Sequence, residues 1–174
     1  MKRINWPVFV LFIAVLVGAG GTTNVWGVTL DVRVNTGNDD VEENASGRMY
    51  MDSGDLELVR DASNQTVGIR FKGITVPQGA TIVNAYIQFM VDERTSESTS
   101  LTIRGENVNN AAAFQSTNSN VSSRTTTAAS VPWSPVSWDV SEEAGPKQQT
   151  PNIAAIIQEI VNRQGWASGN SLVI

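Results

Sequence analysis

The strongest constraint on this chain is the period of its apolar residues, which is two along most of its length. Val28, Leu30, Val32 and Val34 alternate with Thr29, Asp31 and Arg33. The same texture returns at Leu56 to Val59, at Val67, Ile69 and Phe71 set against Gly68, Arg70 and Lys72, and at Leu101 to Gly105. Side chains of a strand point to opposite faces in turn, so such runs specify half-buried strands rather than helices. Turn formers punctuate them: Asp52-Ser53-Gly54-Asp55, Asp61 to Gln65 and Pro77-Gln78-Gly79-Ala80. Thr81 to Val91, with Ile82, Tyr86 and Phe89, is nearly continuously apolar and reads as a central strand.

One segment changes period. Ile153, Ile156, Ile157, Ile160 and Val161 recur at helical spacing, with Thr150 as the expected N-cap, Pro151 as the first helical residue and Gly165 as the stop. Gln158, Glu159 and Asn162 then form its solvated face. The stretch from Asn107 to Ser130 is dominated by Asn, Ser, Thr and Ala and is expected to be a long loop anchored by Phe114. The expectation is a mostly β chain with one C-terminal amphipathic helix. Ser171-Leu172-Val173-Ile174 starts an apolar strand with no closing turn, so the fold is expected to lack its last strands.

Residues 1–27 have a different character. A basic start, Met1-Lys2-Arg3, precedes the unbroken apolar run Val8 to Val17 and the small residues Gly18-Ala19-Gly20-Gly21. This is the pattern of an export signal, and the run falls short of the roughly 20 apolar residues that span a bilayer. The expected organisation is therefore a signal at 1–27 and a folded module at 28–174, secreted or held at the cell surface, with no membrane anchor after cleavage. No cysteine follows the run to carry a lipid. Removing Lys2 and Arg3 leaves ten basic against 17 acidic side chains.

Composition narrows the chemistry. The 174 residues include no cysteine and no histidine, which excludes thiol nucleophiles, Cys/His metal sites and any catalytic triad that uses imidazole. A net charge of -5 is the wrong sign for a nucleic-acid binder. Carboxylate pairs such as Glu142-Glu143 exist, but no spacing marks one as an acid and base for glycoside hydrolysis. The chain is expected not to be an enzyme. Asn44-Ala45-Ser46, Asn64-Gln65-Thr66 and Asn120-Val121-Ser122 match glycosylation sequons at the rate expected of so Asn- and Ser-rich a sequence.

Two sets of residues remain as candidate sites. The acidic stretch from Asp39 to Asp61 offers Asp39, Asp40, Glu42, Glu43, Asp55 and Glu57 as oxygen ligands for a structural calcium ion, though the spacing is not that of an EF-hand loop. The competing expectation is an acidic strand edge that keeps the protein soluble and resists edge pairing. Trp133, Trp138 and Trp166 are candidates for stacking on sugar rings. Trp133 and Trp138 stand five apart, so a regular strand sends them to opposite faces and at most one of the two meets a ligand. Burial in the core is the alternative fate of all three.

Longer motifs carry a family resemblance. Asp39-Asp40 with Glu42-Glu43, then Asp55-Leu56-Glu57-Leu58 and Val67 to Phe71, look like the opening of noncatalytic β-sandwich modules in large secreted bacterial proteins. Pro77-Gln78-Gly79-Ala80-Thr81-Ile82 with Ala85-Tyr86-Ile87-Gln88-Phe89 is similar to a strand of the DNRLRE-type modules, which are related to carbohydrate-binding modules. Trp138-Asp139-Val140, the helix and Gly169-Asn170-Ser171-Leu172 follow that family's order over about 140 residues. The helix, however, stands well beyond Trp138-Asp139-Val140. The resemblance implies a jelly-roll-like antiparallel β-sandwich that attaches a larger protein to polysaccharide or a cell-surface glycan, with further domains of the same polypeptide as partners. A ligand-free spacer in a repetitive surface protein, or an accessory domain of a hydrolase, would share these features.

Overall fold

The computed structural model describes residues 3–5, 10–18, 25–34 and 36–174. Met1 and Lys2 of the basic start, Val8 and Phe9 of the apolar run and the small residues Ala19 to Gly21 of the expected export signal lie outside the described residues. The chain is a β-sandwich with, among the described residues, one α-helix, as the alternation and the isoleucine spacing predict. Its strands are β1 (Arg3–Asn5), β2 (Val10–Gly18), β3 (Val25–Arg33), β4 (Asp40–Asn44), β5 (Met49–Tyr50), β6 (Asp55–Glu57), β7 (Gln65–Ile74), β8 (Thr81–Gln88), β9 (Leu101–Ile103), β10 (Val131–Trp133) and β11 (Asn170–Val173). The helix α1 spans Ala154–Val161.

Among the described residues all strand pairings are antiparallel. One sheet runs β11-β7-β4-β5 and a second runs β3-β2-β8, while β9 with β10 and β1 with β6 form two-stranded ribbons. Ile69, Phe71 and Ile74 of β7, Leu11, Ile13 and Val15 of β2, and Ile82, Ala85 and Ile87 of β8 join one core. The apolar segment Val10–Gly18 is thus an inner strand of the second sheet, paired to β3 on one side and to β8 on the other. Burying Leu11, Ile13 and Val15 stabilises the sandwich by about 1.5–3 kcal/mol each, an upper figure because denatured chains already bury part of that surface.

The other edge of β8 is closed from within the chain. Gln158 Oε1 accepts from the Ile82 amide at 2.8 Å, Asn152 Oδ1 from that of Ala85 at 3.0 Å and Thr150 Oγ1 from that of Ile87 at 3.0 Å. Thr150 therefore serves the sheet instead of capping the helix. Asn152 Oδ1 also accepts from the Ala154 amide at 2.9 Å, which does the capping work at the helix start. Of the expected solvated face Asn162 is exposed, but Gln158 and Glu159 are half-buried and bonded to neighbouring segments. Gln158 bridges β8 through Ile82 and Ala80, and the Glu159 carboxylate accepts the amides of Ala128 and Ala129 at 2.9 and 2.8 Å. The aliphatic face is buried as its spacing predicts, with Ile153, Ile156, Ile157, Ile160 and Val161 in the core.

Residues 107–130 contain no helix or strand, yet they are tied down throughout. Phe114 is the anchor, seated with Val41, Met49, Ala111 and Val173 in a second small core. It lies over Gly68 of β7, where a Cβ would stand 2.6 Å from Phe114 Cζ; only glycine admits the ring there. Arg124 lies over the same ring, its guanidinium 4.4 Å from the Phe114 ring centre. The same arginine bonds the carbonyls of Ala112 and Asn120 and pairs with Glu106 at 2.8 Å. Among the described residues no helix is long and apolar enough to cross a membrane.

Candidate functional site

The acidic residues of the stretch from Asp39 to Asp61 do not share one environment. Asp39, immediately before β4, is buried and pairs with Arg70 at 2.6 Å and Lys72 at 2.8 Å, with the Thr36 hydroxyl also donating to it. Burial pushes its carboxyl up, but Lys72, Thr36 and Arg70 together prevail and hold it below 3.8. Glu43 turns toward the long loop and accepts the amides of Val121 and Ser122 at 2.8 and 2.9 Å. Glu42 faces the other way, because successive residues of a strand do. Its Oε1 accepts the Glu57 amide at 2.6 Å and Gln65 Nε2 at 2.8 Å.

The structure therefore does not bring Asp39, Asp40, Glu42, Glu43, Asp55 and Glu57 together as one ligand set. The strand pleat divides the consecutive acids of β4 between two faces, and the Asp39 and Glu43 carboxylates are already engaged by cations or amides. Among the described residues no three Asp, Glu, His or Cys side chains gather into a group that could hold a metal ion.

What the stretch does contain is a buried carboxyl pair. Burial, first, and the neighbouring Glu57 carboxyl raise Glu42 from 4.5 to about 8. The sign of the consequence follows from proton binding. Between about pH 4.5 and 8 the folded chain holds a proton on Glu42 that the unfolded chain has released, so stability is complete at the acid end and declines as pH rises through 8. Thermal melts should therefore fall from pH 5 to pH 8, and Glu42→Gln should flatten that slope. The amide keeps the acceptor for Glu57 N–H and Gln65 and has no proton to lose. The gain at pH 8 is expected to be on the order of a few kcal/mol, with little change at pH 5. A variant as pH-dependent as the parent would place the titration elsewhere.

The three tryptophans divide. Trp138 is fully buried and donates its Nε1–H to the Lys147 carbonyl at 3.1 Å. Trp166 is buried too, and its Nε1–H bonds the Val76 carbonyl at 2.9 Å. Neither ring offers a face to a ligand; both complete the core. Trp133 is also largely enclosed, with its ring stacked on Phe89 at 5.7 Å between centres. Unlike the other two, it reaches the wall of a cleft.

That cleft has a volume of about 480 Å³ and lies among β7, β8, the β9–β10 ribbon and the end of β11. Apolar side chains form most of its wall: Leu58, Val67, Ile69, Ile87, Phe89, Leu101, Ile103, Trp133, Val173 and Ile174. Gln65, Arg104, Glu106, Arg124 and Thr126 contribute polar groups. Its size lies within the range of about 300–1,000 Å³ typical of small-ligand sites, and an apolar wall with a few oriented polar groups is their usual make-up. The Arg124–Glu106 pair is locked to the long loop, so the polar side of the cleft is held in place before any ligand arrives.

Sequence reasoning did not find Arg104, Arg124 or Glu106. They sit in or beside a segment whose composition reads as loop, and nothing in their spacing links Arg124 to Glu106 or to Phe114. Arg70 carried one legible signal, a charge in a strand whose alternate residues are core, but its partner Asp39 lies in a different acidic run. Comparison of the chain with protein-family models, with curated proteins and with solved structures finds no match.

Proposed function

We propose that the chain is a noncatalytic β-sandwich module of an exported protein that binds a polysaccharide or cell-surface glycan in the cleft beside Trp133. The observation that carries this reading is the cleft itself, whose lining includes the stacked rings of Trp133 and Phe89 together with the polar groups of Arg104, Glu106 and Arg124. Sugar rings present C–H faces that pack on aromatic surface and hydroxyls that bond charged groups, and the cleft supplies both. The motif resemblance to DNRLRE-type modules points the same way.

A glycan array probed with the whole chain tests the reading. Arg104→Ala removes an exposed side chain and is expected to weaken binding several-fold with an unchanged melt. Trp133→Ala is expected to weaken it at least tenfold in molecules that remain folded by circular dichroism. Binding that neither substitution moves would remove the cleft from consideration. A second reading, a ligand-free spacer, is favoured by one observation: Trp138, Trp166, Asp39 and Glu43 are all committed to internal contacts. No binding across the array would decide for it.

A further inference from the structure

The place that β2 occupies is shaped for an extended strand. Leu11 and Ile13 are fully buried and Val15 nearly so, three aliphatic side chains at alternate positions in the common core. Phe12, on the opposite face, stacks on Tyr86 of β8 with ring centres 4.9 Å apart. Pairing with β8 runs from Val10 opposite Gln88 to Leu16 opposite Thr81, and pairing with β3 runs over all nine residues. The far edge of β8 is closed by Thr150, Asn152 and Gln158, so the edge facing β2 is the one that still needs a backbone partner.

The same nine residues lie within the expected export signal, eight of them in its apolar run and Gly18 among the small residues that follow. If that signal is cut away, the sandwich loses an inner strand and two strand edges stand open over an unfilled part of the core. Unpaired backbone and exposed aliphatic surface in that form accept another strand readily. We infer that the slot between β3 and β8 is a strand acceptor, which after removal of residues 10–18 takes an extended segment of another polypeptide. The donor runs antiparallel to β8 and repeats large aliphatic side chains at alternate positions. This inference rests on reading residues 1–27 as a removable signal and is independent of the glycan cleft.

The test starts from the intact chain. A specific protease site is inserted within residues 19–24, the folded protein is nicked, and a labelled peptide of residues 8–19 with a lysine tail is added in excess. The expected result is one-to-one incorporation of the peptide as the native fragment leaves, with slow amide exchange along β8 retained. The same peptide carrying Ile13→Asp should fail to enter. Release of the fragment with no rise in β8 amide exchange would overturn the inference, as would a peptide that does not enter after the fragment has gone. Nicked chains that pair with each other and exclude the peptide would assign the slot to a second copy instead. N-terminal sequencing of the exported protein separately decides whether the signal is removed.

Discussion

Trp138→Ala is expected to lower stability by about 3–5 kcal/mol, the range for deleting a fully buried large aromatic. The indole ring lies 6.4 Å from Phe89 and 6.5 Å from Trp133, centre to centre, so its loss removes the support behind the aromatic wall of the cleft. It also strands the Lys147 carbonyl, which accepts its Nε1–H. Two effects should therefore appear together in one variant: a melting temperature lower by roughly 10 °C, and a changed fluorescence of Trp133 in the molecules that stay folded. Trp138→Phe keeps most of the packing and should recover most of the loss. A melt within 2 °C of the parent for the alanine variant would mean that the ring is not where the core needs it.

Arg70→Leu is the second large effect. Its guanidinium holds Asp39 through Nη1, the Ala111 carbonyl through Nε at 2.9 Å and the Ser171 hydroxyl through Nη2 at 3.2 Å. It thereby ties β7 to β4, to the long loop and to β11. Breaking one partner of a buried pair costs about 3–5 kcal/mol because the other charge is left in a poorly solvated place. Lys72, which is 41% exposed, stays beside Asp39 and offsets part of this. The folded Asp39 carboxyl lies below 3.8, so the parent holds this contribution fully above that pH and loses it as pH falls through the folded value. The gap between parent and variant, read by urea melts, should therefore be widest at neutral pH and narrow in acid. A gap that stays constant down to pH 2 would assign the loss to packing alone.

The fold was legible where a local period reports burial. The alternations at Val67 to Phe71 and Leu101 to Ile103 became β7 and β9, and the isoleucine spacing became α1. What the periods do not encode is which polar group meets which. Thr150 has the chemistry of an N-cap, yet its hydroxyl bonds Ile87, because the segment before the helix runs along β8 and reaches that amide first. The six carboxylates look like one cluster in one dimension; in three, the pleat of β4 and the arginine and amide donors of distant segments divide them and leave only Glu42 and Glu57 as a pair. The cleft was invisible for the same reason, since its wall collects side chains from Leu58 to Ile174. Trp133 was named as a candidate by residue type, and only its neighbours distinguish it from Trp138.

The pairing of β2 with β8 also sets an order of events during synthesis. Val10 lies opposite Gln88, so the second sheet has no means of closing until residue 88 has left the ribosome. At about 5–20 residues per second, the apolar segment waits several seconds after its own synthesis. Its hairpin with β3 is available sooner, but an isolated two-stranded hairpin is only marginally stable in water. For that interval the most apolar stretch of the chain is open to whatever captures nascent hydrophobic segments. Whether it ends as a strand or in the hands of such a captor is a race between elongation and capture, and a synonymous slow codon before Gln88 would lengthen the window without altering a single side chain.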